Sequence, residues 1–401
     1  MHASVGYSEN PDTTHAGMEA ATNALQTSDR PGACDLVLLF ATASHDAQQL
    51  RDAVLSVVGT SVPVIGGGAI GAMTHDCFGY AGDQVVLALL WLEGVEYQCH
   101  VEGDLTQGEI EVGRRLGRRF AQSGMTPDAS ALLFYDAMNR TGDGVRMNMA
   151  TPLLLGIQEG LGFLPALVGA GFMGDYAGSA TQQWTGAEIV SHHALALRFS
   201  AEVRIDTTIM HGCRPATGYY TVTRAEGPVI LEIDGQPALT FMENLLGAGV
   251  PPEEYPFFLT FGMNRGQKWE AFNDDNYANH LCLTIDKAHN GLVMFEPDMV
   301  AGTEFQLMYH SLDLDYIRPK VERLFSEIRG RKPVLALYIN CAGRAAAYAG
   351  NDLEDALEVR NVVAGRVPLL GMYSGVEIAP VMGYSRPLDW TGVFCILSVP
   401  Q

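Results

Sequence analysis

Val334-Leu-Ala-Leu-Tyr338, a helical stretch over 352–364, then Val367-Pro368-Leu-Leu-Gly371-Met-Tyr-Ser-Gly375 and a last apolar run, Gly392–Val399, make up one folding unit. The same order of parts is written twice more. Leu36-Val-Leu-Leu-Phe40 leads through a helix ending near Val58 to Val62-Pro63-Val-Ile-Gly66-Gly67-Gly68 and the run Gln84–Leu92. Ala131-Leu-Leu-Phe-Tyr135 leads through a helix ending near Leu161 to Leu164-Pro165-Ala-Leu-Val-Gly169-Ala-Gly171 and the run Glu188–Phe199. Pro165 lies 34 residues after Ala131 and Pro368 lies 34 after Val334; the first copy is shorter, with Pro63 27 after Leu36. An internal repeat of this kind marks one supersecondary unit used several times.

Each copy is preceded by an amphipathic stretch, Met18–Gln26, Gln107–Gln122 or Leu314–Ile328, so the unit reads α-β-α-β-β. A strand, a crossover helix and a second strand favour a parallel pair, and the third strand can return antiparallel. Proline fits the first residue of a strand, and the glycines behind it mark sharp turns or close backbone approach. The fold class expected is α/β, mixed α+β: repeated α-β-α-β-β units forming mixed sheets in two tightly associated domains. Residues 200–313 break the repeat. They hold short strand-like runs, a helix over Gln236–Leu246, and hairpin signals at Asp234-Gly235 and Asn290-Gly291. Residues 1–15 read as a flexible polar tail, residues 16–230 as a first domain and 231–401 as a second.

Composition narrows the function. The 401 residues carry a formal charge of −21, which repels nucleic acid and anionic membranes in the absence of a basic patch. The Lys/Arg clusters at 114–119 and 329–332 read as solvated helix faces and ends. Seven scattered cysteines without a CxxC pair argue against a disulfide framework or zinc knuckle and fit a reducing compartment. No signal peptide or spanning segment is visible, and a cytoplasmic location is expected. No metal site is expected either. His192 and His193 are adjacent and point to opposite faces of a strand. Two GxGxxG strings, at 66–71 and 169–174, lack the helix that a dinucleotide site needs, and no P-loop is present. No cofactor is expected.

In open α/β sheets ligands gather beyond the C-terminal strand ends. The loops there contain Asn139 and Arg140 in the second unit, and Cys341, Gly343 and Arg344 in the third. Both lead toward helix N-termini, which favour anions, and Arg140 and Arg344 are candidates to grip a carboxylate or phosphate. Backbone N–H groups at Gly66, Gly67, Gly68, Gly169, Gly171, Gly371 and Gly375 would bond ligand oxygens, Glu377 would answer an amino group, and Tyr373 lies beside them. Cys341 admits a second reading, a nucleophile whose pKa is lowered by a helix N-terminus and by Arg344.

The chain resembles the FIST family. The resemblance is carried by Asp35-Leu-Val-Leu-Leu-Phe-Ala through Pro63-Val-Ile-Gly66, by Gly212-Cys213-Arg214-Pro215 and by Leu231-Glu-Ile-Asp234-Gly. Its most specific parts are Asn340-Cys341-Ala-Gly343-Arg344 and Pro368-Leu-Leu-Gly371-Met-Tyr-Ser-Gly375-Val-Glu377-Ile. It departs from the family at the triple glycine 66–68 and in the polar stretch Asn264–Asn279. It implies FIST N-terminal and C-terminal domains and a sensory protein for small ligands, with amino acids suggested. It also implies a separate signalling partner, since no output module is fused, and it transfers no catalytic residue. A cysteine-dependent hydrolase or transferase acting through Cys341 is the alternative; an oligomer is compatible with either.

Overall fold

A computed structural model describes residues 1–30, 32–141, 144–179, 181–247, 249–256, 258–311, 313–350 and 352–401; for Arg140, Thr141, Gly144 and Val145 it describes only the backbone. The first unit comprises β1 (His2–Ser8), α1 (Thr13–Thr27), β2 (Leu36–Ala41), α2 (Ala47–Val58), β3 (Val64–Gly68), β4 (Gly71–Thr74), β5 (Phe78–Tyr80) and β6 (Val85–Trp91). The second comprises β7 (Tyr97–Glu102), α3 (Glu109–Gln122), β8 (Ser130–Asp136), β9 (Met138–Thr141), β10 (Gly144–Met147), α4 (Ala150–Leu161), β11 (Ala166–Phe172), β12 (Gln183–Gly186), β13 (Ile189–Val190) and β14 (Ala194–Phe199). Strand β15 (Arg204–Met210) opens the third and is followed by an insertion: β16 (Cys213–Pro215), β17 (Tyr220–Glu226), β18 (Val229–Ile233), β19 (Gln236–Pro237), α5 (Ala238–Leu246), β20 (Thr260–Asn264), β21 (Tyr277–Asp286), β22 (Gly291–Met294) and β23 (Glu304–His310). The third unit resumes with α6 (Ile317–Glu327), β24 (Arg331–Cys341), α7 (Ala346–Ala349), α8 (Asp355–Val363), β25 (Leu369–Ser374), β26 (Val376–Val381), β27 (Tyr384–Leu388) and β28 (Gly392–Pro400).

In every unit the crossover pair is parallel: β2 with β3, β8 with β11, β24 with β25. The returning strand is antiparallel to the first: β6, β14 and β28. Three six-stranded sheets result, ordered β1-β6-β2-β3-β12-β13, β27-β26-β11-β8-β14-β7 and β15-β28-β24-β25-β4-β5. Two strands at one end of each sheet, β12–β13, β26–β27 and β4–β5, come from a different unit, so the units exchange hairpins in a cycle. At the centre of the cycle three backbone bonds form a ring. Met173 N–H donates to Gly68 C=O at 3.2 Å, Gly375 N–H to Gly171 C=O at 3.3 Å, and Ile70 N–H to Tyr373 C=O at 3.1 Å.

One face of each sheet is sealed by a helix pair: α1 and α2, α3 and α4, α6 and α8, each over its own apolar cluster. The opposite faces share a single core running through Phe40, Phe134, Phe172, Leu337 and Met372 into the insertion. In the insertion, β20 pairs with β23 as well as with β21, which closes β17-β18-β22-β21-β20-β23 into an antiparallel barrel. Closure removes the unpaired edges that short strands otherwise expose.

Residues 1–15 are not a tail. Ala3, Val5 and Tyr7 alternate at period two and are 2%, 3% and 9% exposed in β1, which pairs antiparallel with β6. The expected division at 230/231 falls inside β18. Among the described residues no helix is long and apolar enough to cross a membrane.

Candidate functional site

The register makes positions in the three units equivalent. Ala41 faces Gly68, Tyr135 faces Gly171, and Asn340 faces Tyr373, whose carbonyls are the three acceptors of the central ring. The next residues, Thr42, Asp136 and Cys341, therefore correspond. Asp136 is buried in a cradle of two amides: Met138 N–H donates to Oδ1 at 3.0 Å and His192 N–H to Oδ2 at 2.8 Å. At Cys341 the same two positions, the N–H groups of Gly343 and Trp390, point at sulfur. His192 and Trp390 both hold positive φ, 60° and 51°, to aim those amides.

Cys341 does not have the lowered pKa expected of a nucleophile. Burial, then the nearby Glu377 and Asp389 carboxyls, push its thiol well above the ordinary value. It is followed by a three-residue 3-10 turn, Ala342–Arg344, and not by an α-helix whose dipole could act on it. Arg344 is committed elsewhere. Its Nε donates to Asn340 Oδ1 (3.2 Å) and Asp355 Oδ2 (3.0 Å), Nη1 to the carbonyls of His211 (2.9 Å) and Trp390 (3.2 Å), and Nη2 to Tyr316 (2.7 Å) and Asp355 (2.6 Å). Asn340 Nδ2 donates to Asp355 Oδ1 at 2.8 Å. The expected grip of Arg344 on a ligand carboxylate is thus taken by Asp355 in the first turn of α8. The side chain of Arg140 lies outside the described residues; its backbone faces Val145 across the β9–β10 hairpin.

The helix N-termini expected to draw an anion hold carboxyl groups of the chain itself. Asp46 caps α2 through Gln49 N–H. Glu296, from the insertion, accepts from Ala150 N–H and Thr151 N–H at the start of α4, both at 2.8 Å. Glu354 accepts from Ala346 N–H at 3.0 Å and from the Tyr373 hydroxyl at 2.8 Å. Tyr373 accordingly points to the helix-covered side of its sheet, within the cluster under α6 and α8.

The predicted glycines sit mostly inside strands, where close backbone approach, and not the sharp turn given beside it as an alternative, is what they provide. Gly66, Gly169 and Gly371 occupy one equivalent position in β3, β11 and β25. A Cβ there would collide with the carbonyl oxygen of Leu39 or Leu133, or with Met73. Gly67 packs on the Phe172 ring, Gly68 on Thr181 and Gly174, Gly171 on Tyr135 and Ala137, and Gly375 on Met173 and Met147. These are close strand contacts. Two cavities of about 620 Å³ each lie elsewhere, one beside Arg214, Asp274, Tyr316 and Lys320, the other beside Tyr7, Glu9, Glu19 and Arg360.

What the structure does bring together is Cys341, Ser374 and Glu377, with Asp389 near. Ser374 faces Cys341 across β24–β25, and its hydroxyl donates to Glu377 Oε1 at 2.8 Å. Glu377 corresponds to Gln183 of the second unit: Ala170 faces Glu377 as Gly67 faces Gln183. Gln183 is fully engaged, accepting from His193 N–H at 2.9 Å and donating to His193 C=O at 2.8 Å. Glu377 cannot copy that pattern while ionised. Burial pushes its carboxyl well above the ordinary carboxylate range, against the Ser374 hydroxyl and the Thr391 backbone N–H, which favour the charged form, and Oε2 makes no hydrogen bond of normal geometry. Other buried polar atoms of the second unit and the barrel are unpartnered too: Tyr135 Oη, Asn139 Oδ1, and both side-chain polar atoms of Asn279. Such atoms cost free energy unless water or a ligand completes them. Asn139 Nδ2 donates to Asn148 at 3.1 Å.

Ser374, Asp389, Asn279, Asp136 and Asp355 were not anticipated from sequence. Ser374 could have been, because it stands between two chosen residues, Tyr373 and Gly375. Asp389 and Asn279 are joined only in space, Asp389 N–H donating to the Asn279 carbonyl at 2.9 Å. No group of three or more His, Cys, Asp or Glu side chains among the described residues is placed to hold a metal ion.

Comparison with known proteins gives distant relatives and a family. An uncharacterized protein of Mycobacterium tuberculosis is 28% identical over 183 residues, 45% of this chain and 47% of that one. An uncharacterized protein of Mycobacterium bovis is 27% identical over 179 residues, 44% of this chain and 46% of that one. The alignments thus span about half the length of these relatives. Among solved structures, a cyanuric acid hydrolase from A. caulinodans aligns over 100% of this chain and 99% of its own at 9% identity, with a TM-score of 0.39. Residues 35–236 match the FIST N domain and residues 238–380 the FIST C domain, and the chain belongs to the FIST family.

Proposed function

We propose that the chain is a sensor that receives a small polar or anionic metabolite, an amino acid among the candidates, at the junction of the second unit, the third unit and the barrel. FIST domains are sensory domains that take small ligands in signalling. The observation that carries the reading is the unpartnered Oε2 of Glu377, buried beside Cys341 where the equivalent Gln183 has both of its atoms bonded. A ligand ammonium or hydroxyl would complete Glu377. Asn139 and Asn279 would bond its other polar groups, and the Cys341 thiol would line the site without reacting. The signal would pass to a separate partner protein. Seven free cysteines, Cys77 exposed among them, support a reducing, cytoplasmic setting.

The test is thermal unfolding against a panel of amino acids, organic acids and nucleotides, on the wild type and on Glu377→Gln. A ligand present at 100 times its Kd stabilises by about 2.7 kcal/mol. At least one compound class should raise the wild-type midpoint, and the substitution should abolish that rise while the chain still folds, since glutamine already stands at the equivalent position. A panel without effect, or an undiminished shift in Glu377→Gln, overturns the reading.

A further inference from the structure

Where the barrel abuts the exchanged hairpin β26–β27, charged side chains from four separate segments meet. Arg265 directly follows β20, His280 lies in β21, Asp298 in the loop after β22, and Arg386 in β27. His280 is fully buried. Its Nε2 is 3.3 Å from Asp298 and its Nδ1 3.7 Å from Asp389. Burial disfavours charge on that ring, but Asp298 and Asp389 outweigh it, and the imidazole is raised above its ordinary value. Asp389 is pushed up to about 6, chiefly by burial, so it is mostly ionised at neutral pH. The cluster therefore sets the Arg265 and Arg386 guanidinium groups and the His280 ring against the carboxyl groups of Asp298 and Asp389.

The two arginines are poorly supplied with counter-charge. Arg265 Nη2 comes only to 4.0 Å from Asp298, a carboxylate already engaged by His280, and its hydrogen-bond partner is the Met263 sulfur at 3.1 Å. Arg386 lies over the Tyr384 ring, 4.7 Å from its centroid. Burial, then the charge of Arg386, hold the Arg265 guanidinium below its ordinary value. The Nε of each arginine is buried and without a partner, and so is Asp298 Oδ1. Two neighbouring guanidinium groups with open N–H donors match an oxyanion, which arginine binds through paired N–H bonds. The open Asp298 oxygen matches a hydrogen-bond donor beside it.

We propose that Arg265 and Arg386 form a clamp for the carboxylate or phosphate group of a small ligand, with Asp298 accepting from a neighbouring hydroxyl or ammonium group of the same ligand. The clamp rests on the small-ligand reading above but uses different side chains. The experiment is calorimetric titration of the full chain with inorganic phosphate and, separately, with malonate, at ionic strength held constant with sodium chloride. Saturable binding of one or both is expected, and which of them binds separates the phosphate source from the carboxylate. Arg265→Gln and Arg386→Gln should each weaken it at least tenfold, and Arg386→Lys, which keeps the charge but loses the fork, should weaken it as well. Without added anion, the melting point of Arg386→Gln should equal or exceed that of the wild type, because one of two repelling charges is gone. Absence of saturable binding, wild-type affinity in both glutamine variants, or a marked fall in their anion-free melting points overturns the clamp. A panel compound whose shift depends on Glu377 but on neither arginine overturns the clamp and leaves the sensor reading intact.

Discussion

Arg344 makes six hydrogen bonds to groups of its own chain, and its partner Asp355 is buried with it. A buried pair of this kind is costly to break because the remaining charge has nowhere to go. Arg344→Ala should therefore lower the unfolding free energy by about 3–5 kcal/mol, measured by urea denaturation. Arg344→Ala combined with Asp355→Leu should cost less than the two single changes summed. A single-variant cost under about 1 kcal/mol would show that the pair does not hold the fold. At this scale the sequence was half legible. Asn340, Cys341, Gly343 and Arg344 stood out because they follow a buried strand, yet the direction of the guanidinium depended on Asp355, Tyr316 and the His211 carbonyl, none of which a local pattern ties to it. Glu377, chosen for an amino group, is buried with an open oxygen. Its neighbours Asp389 and Asn279 belong to other elements and carried no motif.

Helix α4 illustrates the element scale. Its first residue, Ala150, follows Met149, which offers no capping side chain. The free N–H groups at its start are met by Glu296, a residue 146 positions away from Ala150. Glu296→Ala should leave those amides unsatisfied in a buried place, at a cost of about 1–3 kcal/mol. Faster hydrogen exchange at Ala150 and Thr151 should localise the loss, and unchanged exchange there would rule out the capping role. The strands and helices themselves were readable. The amphipathic stretch 107–122 became α3 (Glu109–Gln122), and the helix expected to end near Val58 became α2 (Ala47–Val58). Helical spacing of apolar residues is a local property and survives folding. The missed element, β1, had only seven residues, of which three alternate. Small and polar residues between them hid the period.

For the whole molecule the exchange of hairpins has a direct consequence. Strands β26 and β27 complete the second sheet, while β4 and β5 complete the third, so neither the FIST N part nor the FIST C part contains all of its own sheets. The fragment 1–237 expressed alone should expose the β11 edge in the second sheet and leave β4–β5 unpaired. It should show no sharp near-ultraviolet circular dichroism and no cooperative urea transition, and mixing it with 238–401 should restore both. A fragment that unfolds cooperatively by itself would contradict this dependence.

The chain order α-β-α-β-β, its three occurrences, the parallel crossover pairs and the antiparallel return were determined by the sequence alone. They follow from apolar periodicity, strand length and the geometry of short connections, all of which act within a few tens of residues. Only the tertiary structure decided which hairpin joins which sheet, that β20 closes a barrel with β23, and that Glu296 caps α4. It also decided that the predicted glycines pack against strands, and that Cys341 lies buried among carboxyls. Those outcomes depend on contacts between groups far apart along the chain, whose free energy arises from burial and partner geometry that exist only once the units have met.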